Sequence, residues 1–215
     1  MLKRIPKYVW ICFISLFALD FLTYYLTQTL TQNRTLYDLT INFFDNKVPF
    51  LSSFVIFYII AYPFWVITPF IISKLDKKDY LDWSISVFII FIIVFCIYLI
   101  IPTTIVRPVV DNTNIFNRLV NIIYLSDSPE RPTNLFPSIH CFLSWMCYIG
   151  VRNNKKFSKT IRISFLSLAV LICLSTQFIK QHYIVDLVSA IFLCELVFVI
   201  VKKTNISKYL MEGVK

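Results

Sequence analysis

The chain has 215 residues, of which 58% are hydrophobic, 15% are charged and two are glycine. A water-soluble domain this apolar would expose large contiguous greasy patches, so the composition excludes an ordinary soluble fold. The net charge of +9 invites a nucleic-acid reading, but the basic residues sit at the ends of apolar blocks. No block interleaves aromatic and basic side chains as a stacking groove does, and no nucleic-acid partner is expected.

In chain order, Lys3, Arg4 and Lys7 precede an apolar run over Tyr8–Leu30. The run is too long for the hydrophobic region of a cleaved leader and has no small-x-small site, so it reads as an uncleaved first span, with Asp20 in its middle. A polar loop, Thr31–Lys47, leads to a second span over Val48–Ile72, where Pro63 and Pro69 are expected to kink or locally unwind the helix. A tight charged turn, Lys74–Asp79, opens a third span over Leu81–Ile101. The longest non-spanning segment is Pro102–Phe136. Within it Ile115, Phe116, Leu119, Val120, Ile122 and Ile123 fall on one helical face, opposite Asn117, Arg118 and Asn121. This predicts a short amphipathic helix in the membrane interface, N-capped by Thr113 or Asn112. Span four is expected over Pro137–Val151, span five over Ile161–Ile179 and span six over His182–Val201, with only Lys180-Gln181 between the last two.

The fold expected is therefore all-α: a polytopic membrane protein of six transmembrane helices, as one domain over residues 1–215, with an amphipathic interfacial helix between spans three and four. With the N-terminus inside, fifteen of the 21 lysines and arginines fall on inner segments and six on outer ones. That bias puts both termini in the cytoplasm, and Pro102–Phe136 and the Lys180-Gln181 link outside. The six cysteines lie inside apolar blocks, without CxxC or Cys/His ligand spacing. They read as small buried hydrophobes, and neither a metal nor a cofactor is expected.

The polar residues that carry chemistry gather at the predicted outer ends of spans. The chain has two histidines, His140 and His182. His182 and Asp186 stand four residues apart, so they share a helical face. A carboxylate there fixes one imidazole tautomer and frees the other nitrogen as nucleophile or base. The blander reading is a structural His–Asp bond that ties two helices. Pro137-Ser138 opens span four, where free backbone N–H groups and a hydroxyl favour an anion. His140, one turn in, is placed to protonate a leaving oxygen. Arg107 can clamp a phosphate through two donors, or simply meet lipid headgroups.

Arg107-Pro108, Pro137-Ser138-Ile139-His140 and Ser175, His182 and Asp186 resemble, in order and spacing, the three signatures of the phosphatidic acid phosphatase type 2 superfamily. The resemblance covers about residues 102–190. The Lys180-Gln181-His182-Tyr183 run looks like a divergent bacterial branch, which also resembles inositol phosphorylceramide synthase-like members. The resemblance implies a helical core with a metal-free site near the outer face of a plasma membrane. His182 would attack phosphorus, Asp186 would orient it, and His140 would act as acid and then base. Arg107 and Ser138 would hold the phosphoryl oxygens, and Ser175, Thr176 and Lys180 complete the expected phosphate site. Ile100 stands where the family has a lysine, Thr176 where it has an arginine, and Ile139 where it has a glycine. Lys180, Arg118 and Arg131 are the substitute cations on offer. The function expected is a lipid phosphate or diphosphate phosphatase. Undecaprenyl diphosphate, phosphatidic acid and phosphatidylglycerol phosphate are the candidate substrates, with membrane lipids as the surroundings. The rivals are a headgroup phosphotransferase on the same site and a non-catalytic lipid-binding scaffold. Asp20 and Glu195, the other acids deep in apolar blocks, match no motif and are expected to be structural.

Overall fold

A long apolar segment in a bilayer must satisfy its backbone polar groups internally, and a helix does so within one segment. The computed structural model describes residues 5–31, 33–127 and 132–212. It has five helices long and apolar enough to cross a membrane: α1 (Lys7–Thr31), α2 (Ser52–Ile72), α3 (Lys77–Ile100), α6 (Lys159–Phe178) and α7 (Ile184–Thr204). Between them lie α4 (Ile115–Ser126) and α5 (Ile139–Arg152), and α8 (Ile206–Glu212) follows α7. The strands, β1 (Tyr37–Asp38) and β2 (Thr103–Thr104), form one two-residue parallel pairing, Tyr37 opposite Thr103 and Asp38 opposite Thr104.

The segment expected as span four is α5, only 14 residues long. At about 1.5 Å per residue it rises roughly 21 Å, short of a ~30 Å hydrocarbon core. Its neighbours explain how so short a helix sits at the centre. It packs against α2, α3, α6 and α7, and Cys141, Phe142, Met146 and Val151 are almost wholly buried. Gly150 lets α5 approach α2 and α3 closely. A Cβ there would stand 3.1 Å from Ile72 Cγ2 and 3.3 Å from Trp83 Nε1. The Trp83 indole donates to Met146 O across the same seam (2.7 Å). Glu195 of α7 is paired with Arg152 and accepts from the Trp145 indole, which ties α7 to the same C-terminal half of α5.

By contrast α1 is peripheral. Ile11, Ile14, Phe17 and Phe21 are more than half exposed, an apolar face suited to lipid. It contains a π-helical turn over Leu22–Leu26 that the sequence reading does not anticipate. There Tyr24 O also accepts from Asn134 Nδ2 (2.9 Å), which joins α1 to the loop before α5. Helix α2 runs unbroken through Pro63 and Pro69, so the expected unwinding is absent; each proline simply leaves one carbonyl a turn earlier without its helical donor. The N-cap of α4 is Asn114, whose side chain accepts from Asn117 N (3.0 Å). Neither expected cap serves: Thr113 Oγ1 donates to Asp111 (2.6 Å) and Asn112 accepts from Asn121 Nδ2, while Asn117 Nδ2 also donates to Asp111, so the polar face of α4 is covered by its own lead-in segment.

Three connections meet at one end of the bundle. Leu51 N donates to Phe178 O (3.0 Å), Tyr37 N to Pro102 O (2.9 Å) and Tyr124 OH to Ile179 O. Arg131, one of the substitute cations, and the terminal basic residues Lys3, Arg4 and Lys215 lie outside the described residues.

Candidate active site

The meeting of these connections positions His182. Helix α6 ends at Phe178, and the chain turns at Lys180, which adopts the left-handed conformation (φ 53°) common just past a helix end. The turn lets Gln181 N and His182 N both donate to Thr176 O (2.9 and 3.1 Å). His182 therefore lies in the link before α7, not inside the helix, which begins at Ile184. Tyr183 is the N-cap. Asp186, at the third helical position, accepts from Tyr183 N (3.0 Å) and from His182 Nδ1 (3.2 Å) through the same Oδ2. The carboxylate thus caps the helix and orients the imidazole at once. Asp45, from a one-turn helix before α2, accepts from Ile184 N (2.8 Å) and braces the same helix start.

Burial is the largest single influence on His182 and pulls its pKa down. The hydrogen bond and charge of Asp186, with further help from Cys141 and Asp127, outweigh it, so the pKa lies above the ordinary histidine value.

His140 stands in the first turn of α5. Its ring stacks on Tyr58 (centroids 4.0 Å apart) and meets the edges of Trp65 (4.9 Å) and Tyr62 (5.6 Å). These aromatics share one face of α2, at i, i+4 and i+7, and they hold the imidazole in one orientation. His140 Nε2 is buried and has no partner among the described residues. The two imidazole centroids are 6.3 Å apart, a gap on the scale of one phosphoryl group with its leaving oxygen. Ser138, two residues before His140, caps α5 by accepting from Cys141 N, and its own N–H donates to Asp186 O (3.2 Å). The start of α5 is thereby fastened to the start of α7.

His182 lies between two cavities. One, of about 250 Å³, is lined by both histidines, Asp127, Asn134, Tyr58, Trp65 and Asp20. The other, of about 440 Å³, is lined by His182, Arg107, Lys180, Asp45 and Tyr183. The Lys180 ammonium reaches the carbonyls of Asp45 (3.0 Å) and Val48 (2.5 Å), and burial lowers its pKa against the pull of Asp45. Ser175 and Thr176 are wholly buried, and their hydroxyls donate to Ile172 O and Cys173 O of their own helix. They support the link from behind.

Sequence reasoning missed Asp127, and it changes the reading of Arg107. The Arg107 Nη1 donates to Tyr124 O (3.3 Å) and Asp127 O (3.0 Å), and Nη2 donates to the Asp127 carboxylate and to Gln181 Oε1. The guanidinium also lies 4.8 Å from the Tyr124 ring centroid. Only Nε is without a partner among the described residues. A phosphate that draws on Nη2 must displace the Asp127 carboxylate or the Gln181 amide oxygen. Burial pushes the Asp127 carboxyl up to about 7, with the His182 charge acting the other way; the adjoining guanidinium also favours the ionised form. Asp127 follows α4 without any motif around it, so nothing in the sequence singles it out. Tyr58, Tyr62 and Trp65 do carry a signal, a helical stripe of aromatics, but it reads equally as packing.

The profile of the PAP2 superfamily matches residues 36–200. The chain belongs to the PAP2 superfamily. Members of the PAP2 superfamily generally hydrolyse phosphate esters. Searches of curated proteins and of solved structures return no match. The PAP2 match takes in α2–α6, all but the last turn of α7, and every residue of the site except the α1 wall of the smaller cavity.

Proposed function

We propose that this PAP2 protein is an integral-membrane lipid phosphate or diphosphate phosphatase that works through a phosphohistidine on His182. The observation that carries the reading is the pairing of a carboxylate-oriented His182 with an aromatic-caged His140, 6.3 Å away across a cavity. With its Nδ1 proton held by Asp186, His182 presents Nε2 to phosphorus. The N–P bond forms as the P–O bond to the lipid alcohol or phosphate breaks. His140 gives its proton to that leaving oxygen, then takes one from the water that attacks phosphorus from the vacated side. The N–P bond breaks and phosphate departs. Arg107 balances charge on the phosphoryl oxygens once it is released from Asp127, with Lys180 on the other wall. Nothing in this sequence of steps calls on a metal.

In the bilayer we place six spans, with α5 as the short fourth one, both termini in the cytoplasm and the site at the extracytoplasmic face of the plasma membrane. The lysine and arginine bias supports this topology. Helix α4, amphipathic and at the site end of the bundle, would lie in the interface. Phosphatidic acid, phosphatidylglycerol phosphate and undecaprenyl diphosphate are the substrates to offer first.

One observation favours a second reading. Arg107 is neutralised by Asp127, and Ile100 and Thr176 stand where the family signatures hold cations, so the site is poor in positive charge for a dianionic phosphate. A singly charged phosphodiester needs less compensation, which suits headgroup transfer to an alcohol. A lipid-binding scaffold is the third reading. Phosphate release by the purified protein in detergent with EDTA present, beside His182→Ala, separates them. Free phosphate that disappears in the variant is the expected result. A new phosphodiester without free phosphate points to transfer, and neither product leaves the scaffold.

A further inference from the structure

The PAP2 match begins at residue 36, so α1 lies outside it, yet α1 walls the cavity that holds both histidines. That cavity continues past Phe17, Asp20, Tyr62 and Trp65, which it shares with a third cavity of about 260 Å³. Beyond Asp20 the third cavity runs between α1, α2 and α3 and is walled by hydrocarbon and aromatic side chains such as Leu16, Val87 and Leu143. Polar groups in the histidine cavity therefore give way to an apolar channel, with Asp20 at the junction. A lipid with its phosphate at His182 fits this order.

Among the described residues, the polar groups around the junction lack partners. Asp20 makes no hydrogen bond or ion pair with any described residue. Asn134 is 4% exposed, and its Oδ1 is buried without a partner among the described residues. Its Nδ2 donates to Tyr24 O (2.9 Å), which fixes the amide so that Oδ1, an acceptor only, is the free atom. Thr133 Oγ1, 3% exposed at the residue level, has no partner among the described residues and lines the same cavity. A carboxylate and an amide oxygen both call for donors, and a bare hydrocarbon next to the phosphate brings none.

We infer that Asp20 and Asn134 select a lipid phosphate carrying a free hydroxyl close to its phosphate, with the tail in the channel between α1, α2 and α3. The inference rests on the phosphatase reading of the histidine pair and names its substrate class. It separates lysophosphatidate and phosphatidylglycerol phosphate, which carry a free hydroxyl beside the phosphate, from phosphatidic acid and polyprenyl phosphates, which have no such donor. Of the two selecting residues, Asp20 lies outside the family match and Asn134 inside it.

The test uses a pair of lipids that differ by one group: 1-acyl-glycerol 3-phosphate and its 2-deoxy analogue of the same chain length. For the wild-type protein in detergent, the deoxy analogue is expected to lose about tenfold or more in kcat/KM for phosphate release. In Asp20→Leu the ratio collapses toward one, and in Asp20→Asn, which keeps an acceptor, it survives. Equal rates for the two lipids in the wild type, or an unchanged ratio in Asp20→Leu, overturn the inference; water then fills the polar pocket. If Asp20→Leu does not fold, the wild-type ratio together with Asp20→Asn decides. If neither lipid releases phosphate, the phosphatase reading fails by itself. The inference is then judged by binding to the wild-type protein, read as a rise in unfolding temperature. A larger rise with the hydroxylated lipid sustains it, and equal rises overturn it.

Discussion

His182 is held by two neighbours of different kinds, the Thr176 carbonyl behind it and the Asp186 carboxylate below it. The groups that face it, Asp186, Cys141 and Asp127, raise its pKa, while burial lowers it. The attacking nitrogen must be unprotonated, so kcat/KM is expected to fall as pH drops through a pKa raised above the ordinary histidine value. Asp186→Asn removes the main opposing charge and leaves burial in control, which moves that acid limb to lower pH. The same variant should lose about 10²–10⁴-fold in rate; an unmoved limb would mean that another group sets it. Asp127→Asn keeps an acceptor for Tyr24 OH and for Arg107 but removes the competing charge. Inorganic phosphate should then inhibit competitively with a Ki lower by roughly three- to tenfold, the equivalent of about 1 kcal/mol. A weaker inhibitor would show that Arg107 serves structure alone. Of these contacts, the His182–Asp186 pair was legible as i, i+4 spacing. The grip of Asp127 on Arg107 was not, because it joins residues 20 apart through an irregular loop.

Helix α5 carries the argument at the scale of elements. It is too short to look like a span by length, and it works because four helices cover it. A Cβ at Gly150 would already crowd its neighbours, so Gly150→Leu must push Ile72 or Trp83 aside. Overpacking of this kind costs about 1–3 kcal/mol, read as a lower unfolding temperature; an unchanged one would show that the seam can give. At the other end, Asp45 accepts from Ile184 N and Ile41 N. Asp45→Ala should cost about 1–2 kcal/mol, as for a lost helix cap, and loosen the link that carries His182. The apolar blocks gave the helices within a few residues, because hydrophobic length is nearly the whole signal. The π turn of α1 was not legible, since Tyr24 O meets Asn134 from a distant segment; the Asn114 cap is local, but Asn112, Thr113 and Asn114 are all residue types that can cap, and the sequence does not choose among them.

For the whole molecule, sequence separation hides the decisive geometry. Signatures around residues 107, 138 and 182 lie far apart in the chain, and the fold brings them to one end of the bundle through the Ser138 N–Asp186 O and Arg107–Gln181 contacts. Family resemblance anticipated that gathering. It did not anticipate that α1, outside the matched region, closes the cavity around His140. The central claim is that His182 takes the phosphoryl group. Rapid acid-free quenching of the protein mixed with ³²P-labelled lysophosphatidate tests it most directly. The account predicts protein-bound label that is stable to base, labile to acid and absent from His182→Ala. Label that persists in His182→Ala, or turnover by that variant at the wild-type rate, would contradict it.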